Sequence, residues 1–180
     1  MTKSEKLFSP NYLIFGCLAE APVHGYEIHQ RIDNDLNYVW SLSQSQLYAL
    51  LKRLESKELI IGELIPQEGK PNRKRFTLSA QAKQEYREWL YSPVWVSMRA
   101  LRMELLAKIY FLSSQDLEAI KSLVEVQIAE VQKSLASIAE QVEKMPSDQT
   151  INQISMQIKQ AQIQMMLAYL KKLDVNQFRS

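Results

Sequence analysis

Between residues 43 and 78 the apolar period changes once, from helical to alternating, and that change limits the folds open to this chain. Leu47, Leu50, Leu51 and Leu54 recur at the three- and four-residue steps of a single helix face. Leu59-Ile60-Ile61-Gly62-Glu63-Leu64-Ile65 then reads as a strand, and Arg73-Lys74-Arg75-Phe76-Thr77-Leu78 as its return. The segment between them, Pro66 to Asn72, carries the residues of a hairpin loop. Phe76 and Leu78 share one face of the return strand; Arg73, Arg75 and Thr77 share the other. A hairpin alone is marginal in water, so its apolar face needs a helical backing.

The preceding residues supply that backing. Ser9-Pro10 opens a helix with a hydroxyl followed by a proline whose missing N–H costs nothing there. Leu13, Ile14, Cys17 and Leu18 line it, and Ala21-Pro22-Val23-His24-Gly25 breaks it. A second helix is expected from about Tyr26, with Ile28, Ile32 and Leu36 on its buried face. Ser43 and Gln46 form a capping box for the third helix. Three helices followed by two strands is the order of a winged helix-turn-helix.

Ser79 caps a fourth helix bearing Ala82, Tyr86, Trp89 and Leu90, and Ser92-Pro93 ends it. The expected division is a winged helix DNA-binding domain over 1–91 and a helical dimerisation domain over 92–180. In the second, one helix is expected from Arg99 to Phe111, with Leu101, Leu105 and Ile109 inward. Ser113 and Asp116 read as a capping signal for a longer helix from Gln115 to Lys144. Along it Val124, Ile128, Val131, Leu135, Ile138, Val142 and Met145 alternate four- and three-residue steps, the a/d repeat of a coiled-coil seam. After Pro146-Ser147-Asp148 a last helix, from about Thr150, folds back antiparallel. It has two apolar stripes: Ile151, Ile154, Ile158, Ala161 and Met165, then Ile163, Met166, Leu167, Leu170 and Leu173. A helix apolar on two sides needs two neighbours, its hairpin partner and a second copy of the chain. The seam residues Val124 to Val142, with Ile163, Met166, Leu167 and Leu170, are the dimerisation candidates. The expected fold is therefore mainly α with a small β-hairpin, an N-terminal winged helix and a C-terminal antiparallel helical arm.

Composition narrows the chemistry. Four glycines in 180 residues are too few for the tight turns of a β-sandwich. One cysteine, Cys17, forms no internal disulfide, which points to the reducing cytoplasm, and with only two histidines it leaves too few soft ligands for structural zinc. No cofactor and no metal are expected. Lys3 and Lys6 before Tyr12-Leu13-Ile14-Phe15 imitate a short signal sequence, but Pro10, Asn11 and bulky Phe15 speak against one. No apolar run approaches the roughly 20 residues that span a bilayer. Catalysis needs converging acid, base or nucleophile groups, and Cys17 within an apolar stripe and the unaligned His24 and His29 do not provide them, so an enzyme is not expected.

A net charge of +2 is too mild to identify a nucleic-acid partner by itself. Position is more telling. The face of the third helix opposite its leucines carries Ser45 and Lys52, with Gln46, Tyr48 and Arg53 at the flanks and Gln44 at the start. Such side chains meet base edges and phosphates in a major groove. Lys70, Arg73, Lys74 and Arg75 form the densest basic cluster, and they fall on the hairpin, where a wing grips phosphates. The rival reading is a protein-interaction scaffold that uses the winged helix and coiled-coil arm without reading DNA. Trp40, Trp89, Trp95, Tyr110 and Phe111 are either plain core or the lining of a pocket for a small aromatic effector, with Trp89, Trp95 and Tyr110 as its candidates.

Three stretches resemble the PadR family of bacterial transcriptional regulators: Leu18 to Ile28, Ser45 to Glu55 with its Ser-Gln-Leu-Tyr-Ala-Leu-Leu-Lys-Arg-Leu-Glu run, and Arg73 to Ser79. Trp89-Leu90, Pro93 and Arg102-Met103-Glu104-Leu105-Leu106-Ala107-Lys108 resemble the longer branch with a helical C-terminal domain, which holds phenolic-acid repressors and AphA-like virulence activators. The resemblance implies a homodimer binding double-stranded DNA at an inverted repeat. It carries a DNA role onto Tyr26, Gln44, Ser45, Tyr48, Lys52, Arg53 and the wing residues Lys70, Asn72, Arg73 and Lys74.

Overall fold

The computed structural model describes residues 9–66 and 73–178. The described residues divide into two compact units, 9–90 and 91–178. Among the described residues no helix is long and apolar enough to cross a membrane.

In the first unit, α1 (Asn11–Leu18) is the central helix, with Leu13 through Leu18 all buried. The Ser9 hydroxyl accepts from the Asn11 N–H at 3.4 Å and so joins the start of this helix. Around it pack α2 (Gly25–Asp35), through Ile28 and Ile32, and α3 (Gln44–Ser56), through Leu47, Leu50, Leu51 and Leu54. Two strands follow as expected, β2 (Ile60–Ile65) and β3 (Arg73–Leu78). The break before α2 is more than a turn: Val23–His24 form a two-residue strand, β1, that pairs with the other edge of β3. The antiparallel sheet therefore runs β1-β3-β2, with Phe76 opposite both Val23 and Gly62. Phe76 and Leu78 are buried beneath it, and α4 (Ala80–Tyr91) closes the core with Ala82, Tyr86, Trp89 and Leu90. Trp89 lies flat on Tyr12, their ring centroids 4.6 Å apart.

The link from α3 to β2 hides a feature that composition did not signal. Glu58 sits in the left-handed region at φ 57°. The Leu59 N–H reaches the Leu54 carbonyl at 3.0 Å and the Glu58 N–H reaches that of Glu55 at 2.9 Å. These are the two bonds of a Schellman C-cap, built with glutamate where glycine is usual.

In the second unit the helix expected from Arg99 to Phe111 is a run over 98–113 with a π-helical middle: α5 (Met98–Ala100), a π segment (Leu101–Leu105) and α6 (Leu106–Ser113). The capping signal at 113–116 resolves into two separate roles. Ser113 donates to the Tyr110 carbonyl at the end of α6, while Asp116 accepts from the Ala119 N–H and alone caps α7 (Leu117–Glu143). Its 27 residues reach about 40 Å at 1.5 Å each. α8 (Thr150–Lys172) returns against it and a 3-10 turn (Val175–Phe178) ends the described chain.

The α7–α8 hairpin divides the dimerisation candidates by burial. Val124, Val131 and Ile138 on α7, and Ile163 and Leu170 on α8, are buried within one chain, because each helix covers the other's stripe. Ile128, Leu135, Val142, Met166 and Leu167 are half-buried. The stripe left open is the other one on α8: Ile151, Ile154, Ile158, Met165 and Tyr169.

Two buried polar groups hold this unit. Gln127, wholly buried, accepts from the Val94 N–H at 2.7 Å and donates to its carbonyl at 3.2 Å, replacing a strand partner for that residue. Lys108, also wholly buried, donates to the Ser92 carbonyl at 2.7 Å and lies 3.4 Å from Glu104 of the π segment. Burial holds its ammonium down from 10.5 to about 8, against the opposing pull of Glu104. The unfolded chain keeps that proton to about pH 10.5, so between pH 8 and 10.5 it binds more protons than the fold, and stability from this group rises with pH.

Two outcomes are expected. The unfolding free energy of the wild type relative to Lys108→Met should be flat below pH 8 and climb by at most about 3 kcal/mol towards pH 10.5; a difference that stays level to pH 10 would show that the folded chain keeps the proton. Glu58→Gly should stabilise the first unit by about 1 kcal/mol by relieving the left-handed strain; an unchanged or lowered denaturation midpoint would contradict it.

Candidate nucleic-acid interface

α3 presents its polar face because its leucines fix the opposite one. With Leu47, Leu50, Leu51 and Leu54 all at most 6% exposed, Gln44, Ser45, Gln46, Tyr48, Ala49, Lys52 and Arg53 are turned to solvent. Its start is fixed by the capping box foreseen in the sequence: Ser43 Oγ accepts from the Gln46 N–H at 3.2 Å and Gln46 Oε1 from the Ser43 N–H at 2.9 Å. Gln46 therefore spends its amide oxygen on the cap, leaving its NH2 as the group that faces outward.

α2 approaches α3 at Gly25, which is buried at the first position of α2. A Cβ there would lie 3.0 Å from Tyr48 Cε1 and 3.2 Å from Leu51 Cδ1, so glycine is what lets the two helices meet this closely. Arg53 reaches back to α1, donating to Asn11 Oδ1 at 3.1 Å. Asn11, absent from the sequence-based candidates, thereby joins the start of α1 to the face of α3.

The strand of the wing divides its charges by the pleat. Arg73 and Arg75 are exposed on the outer face. The Arg73 guanidinium lies 5.4 Å from the centroid of the Tyr26 ring, and His24 stacks on the same ring. Tyr26 is 38% exposed, so this cation–π contact ties the wing to the start of α2 at the surface. Lys74 behaves differently from its neighbours. It alternates with Phe76 and Leu78, on the inner side, and its ammonium is bound by both oxygens of Glu55 at 2.6 and 2.7 Å. The expectation that Lys74 serves phosphates directly does not fit that geometry, because its charge is already matched at the foot of α3. Lys70 and Asn72 lie outside the described residues.

Comparison with known proteins meets this site. Residues 14–88 match the sequence model of the transcriptional regulator PadR-like family. Over those residues the chain is similar to that family. The negative transcriptional regulator PadR of Bacillus subtilis is 29% identical over 136 residues, covering 74% of this chain and 73% of its own. A probable transcriptional regulator of Mycobacterium tuberculosis is 26% identical over 83 residues, 46% of this chain and 44% of its own length. Among solved structures, Bacillus subtilis PadR in complex with operator DNA aligns over 96% of this chain and 97% of its own, at 23% identity and a TM-score of 0.44. A PadR-like regulator from Bacillus cereus aligns over 97% and 98% respectively, at 21% identity and a TM-score of 0.43.

The PadR-like match takes in α2, α3 and the whole sheet, which are the elements that carry the candidate interface. The 136 residues shared with the Bacillus relative exceed the length of the first unit, so that likeness extends into the helical one. The aromatic candidates divide between the two units. Trp89 is packed on Tyr12 in the core of the first unit. Trp95, 57% exposed, borders a surface hollow of the second unit with Lys133 and Lys159, and Tyr110 meets Phe111 edge-on at 5.1 Å. Cys17 is 2% exposed and burial pushes its thiol up to about 12, which makes it a packing residue of the first unit.

Ser43→Ala should cost this domain about 1 kcal/mol, since it removes one cap bond and leaves the Gln46 amide without its reciprocal partner. Chemical denaturation would measure it; a loss below a few tenths would mean that the box contributes nothing to α3.

Proposed function

We propose that this PadR-like regulator binds double-stranded DNA as a homodimer, laying α3 in the major groove of each half of an inverted repeat. Gln44, Ser45 and Tyr48 read base edges, while Lys52 and Arg53 serve phosphates or guanine. Arg73 and Arg75, with Lys70 and Asn72 just before them in the sequence, grip the adjacent backbone. The observation that carries the reading is the coincidence, on one domain, of a helix whose whole outward face is small or polar and a strand whose outward face is arginine. Protein and operator meet in the cytoplasm.

The second copy is supported by the open stripe of α8. Ile151 is 78% exposed, Met165 62% and Tyr169 60%, more apolar surface in one line than a lone helix leaves in water. Beside it Leu101, Leu105, Ile109, Met166 and Leu170 line an apolar groove of about 310 Å³. A two-fold axis through such an interface pairs the two recognition helices and predicts half-site centres about 34 Å, or a multiple, apart.

Replacing Arg73 and Arg75 by alanine should weaken binding on every sequence and lower the salt slope by about one for each phosphate left without its arginine. An unaltered slope in a gel-shift salt series rejects the wing's role. Ile154→Glu with Ile158→Glu should convert the dimer to single chains in light scattering; an unchanged mass removes that stripe from the dimer interface.

A further inference from the structure

Lys74 is the wing cation that the proposed DNA reading does not use, and its surroundings give it another task. Its side chain runs diagonally across β2 to reach the last turns of α3. The path runs over residue 62, which has no side chain: a Cβ on Gly62 would collide with Lys74 Cε and Glu55 Oε1 where they now lie. At the end of that path the ammonium meets both carboxylate oxygens of Glu55. Its main chain is held too, since the Lys74 carbonyl lies 3.1 Å from Nδ1 of His24, and the His24 N–H donates to Glu27 of α2 at 2.6 Å. One wing residue is thus tied through its side chain to α3 and through its backbone to the start of α2.

We propose that Glu55, Gly62 and Lys74 form a latch that sets the angle between the wing and α3, making Lys74 a positioning residue for operator choice rather than a phosphate ligand. The inference rests on the DNA reading given above. The side chains of the pair are 38% and 32% exposed, and an ion pair so open to water contributes little to stability. What the pair supplies is direction. A two-stranded ribbon attached at its base pivots easily, whereas major-groove and wing contacts on one duplex demand a fixed separation. The bonds of Lys74 to Glu55 on α3 and to His24, just before α2, remove that freedom, and the Lys74 side chain passes over the glycine at 62.

The test compares Glu55→Gln, which is isosteric, Lys74→Met, the double variant and the reversed pair Glu55→Lys with Lys74→Glu, on the site that the wild type selects from random duplexes and on unrelated duplex. Each single variant should lose about tenfold on the selected site, the scale of one missing base discrimination, while binding to unrelated duplex, the salt slope and the thermal midpoint stay put. The double variant should be no worse than either single one, and the reversed pair should recover selectivity. Tighter binding of Glu55→Gln to all duplexes, with a salt slope lowered by about one in Lys74→Met, would make Lys74 an ordinary phosphate ligand and overturn the latch while leaving the DNA reading intact. A lowered thermal midpoint in Glu55→Gln, or double-variant effects that simply add, would also overturn it. Wild-type chain that binds no duplex at low salt would overturn both readings.

Discussion

The register of β3 is the constraint on which the interface depends. β3 is the middle strand, bonded to β1 on one edge and β2 on the other, so it cannot slip without breaking both ladders. With Phe76 and Leu78 fixed under the sheet, the pleat turns Arg73 and Arg75 outward and Lys74 inward. A slip by one residue would drive arginines into an apolar core, at a cost no surface interaction offsets. The same strand brings Tyr26 and His24 to the wing, because β1 leads straight into α2. Position of the wing, entry of α2 and exposure of the arginines are thus one geometric fact.

Much of this was legible in the sequence, for reasons that differ by element. α3 could be read because cap, stripe and length agree, and the structure keeps Ser43, Gln46 and all four leucines in their expected roles. The hairpin could be read because period two is hard to imitate. β1 could not: two residues carry no periodicity, and Val23–His24 is a strand only because β3 lies beside it. The Schellman cap was missed because glutamate occupies the position that glycine would have announced. Nor did the π segment have a sequence signal. The helical stripe of Leu101, Leu105 and Ile109 runs through it, and the buried Glu104 and Lys108 lie between those apolar positions as ordinary charged residues would.

The helical unit shows how a regular pattern is met within one chain. A perfect heptad seam invites the reading that it faces a second chain, yet the seam's most buried members, Val124, Val131 and Ile138, are covered by the chain's own α8. A hairpin of two long helices satisfies its partner-facing positions internally before any second copy arrives, since the connection makes the intrachain neighbour unavoidable at any concentration. The surface offered to another molecule is then whatever apolar residue the hairpin leaves over. On α8 those are Ile151, Ile154, Ile158, Met165 and Tyr169.

A similar displacement explains the basic cluster. Lys70, Arg73, Lys74 and Arg75 are neighbours in sequence, which suggests a single positive patch, but a strand separates successive side chains to opposite faces. The alternation that put Phe76 and Leu78 inside already placed Lys74 with them. What the sequence does not carry is the partner that makes an inward lysine tolerable. Glu55 is nineteen residues away and on a helix, and the gap between them is bridged over the glycine at residue 62. Three residues that are individually ordinary, an acid late in a helix, a glycine in an edge strand and a lysine in a basic run, acquire a joint meaning only when the fold brings them together. An ion pair exposed to this degree has little weight as a source of stability, so its value lies in the one arrangement of wing and helix that it favours.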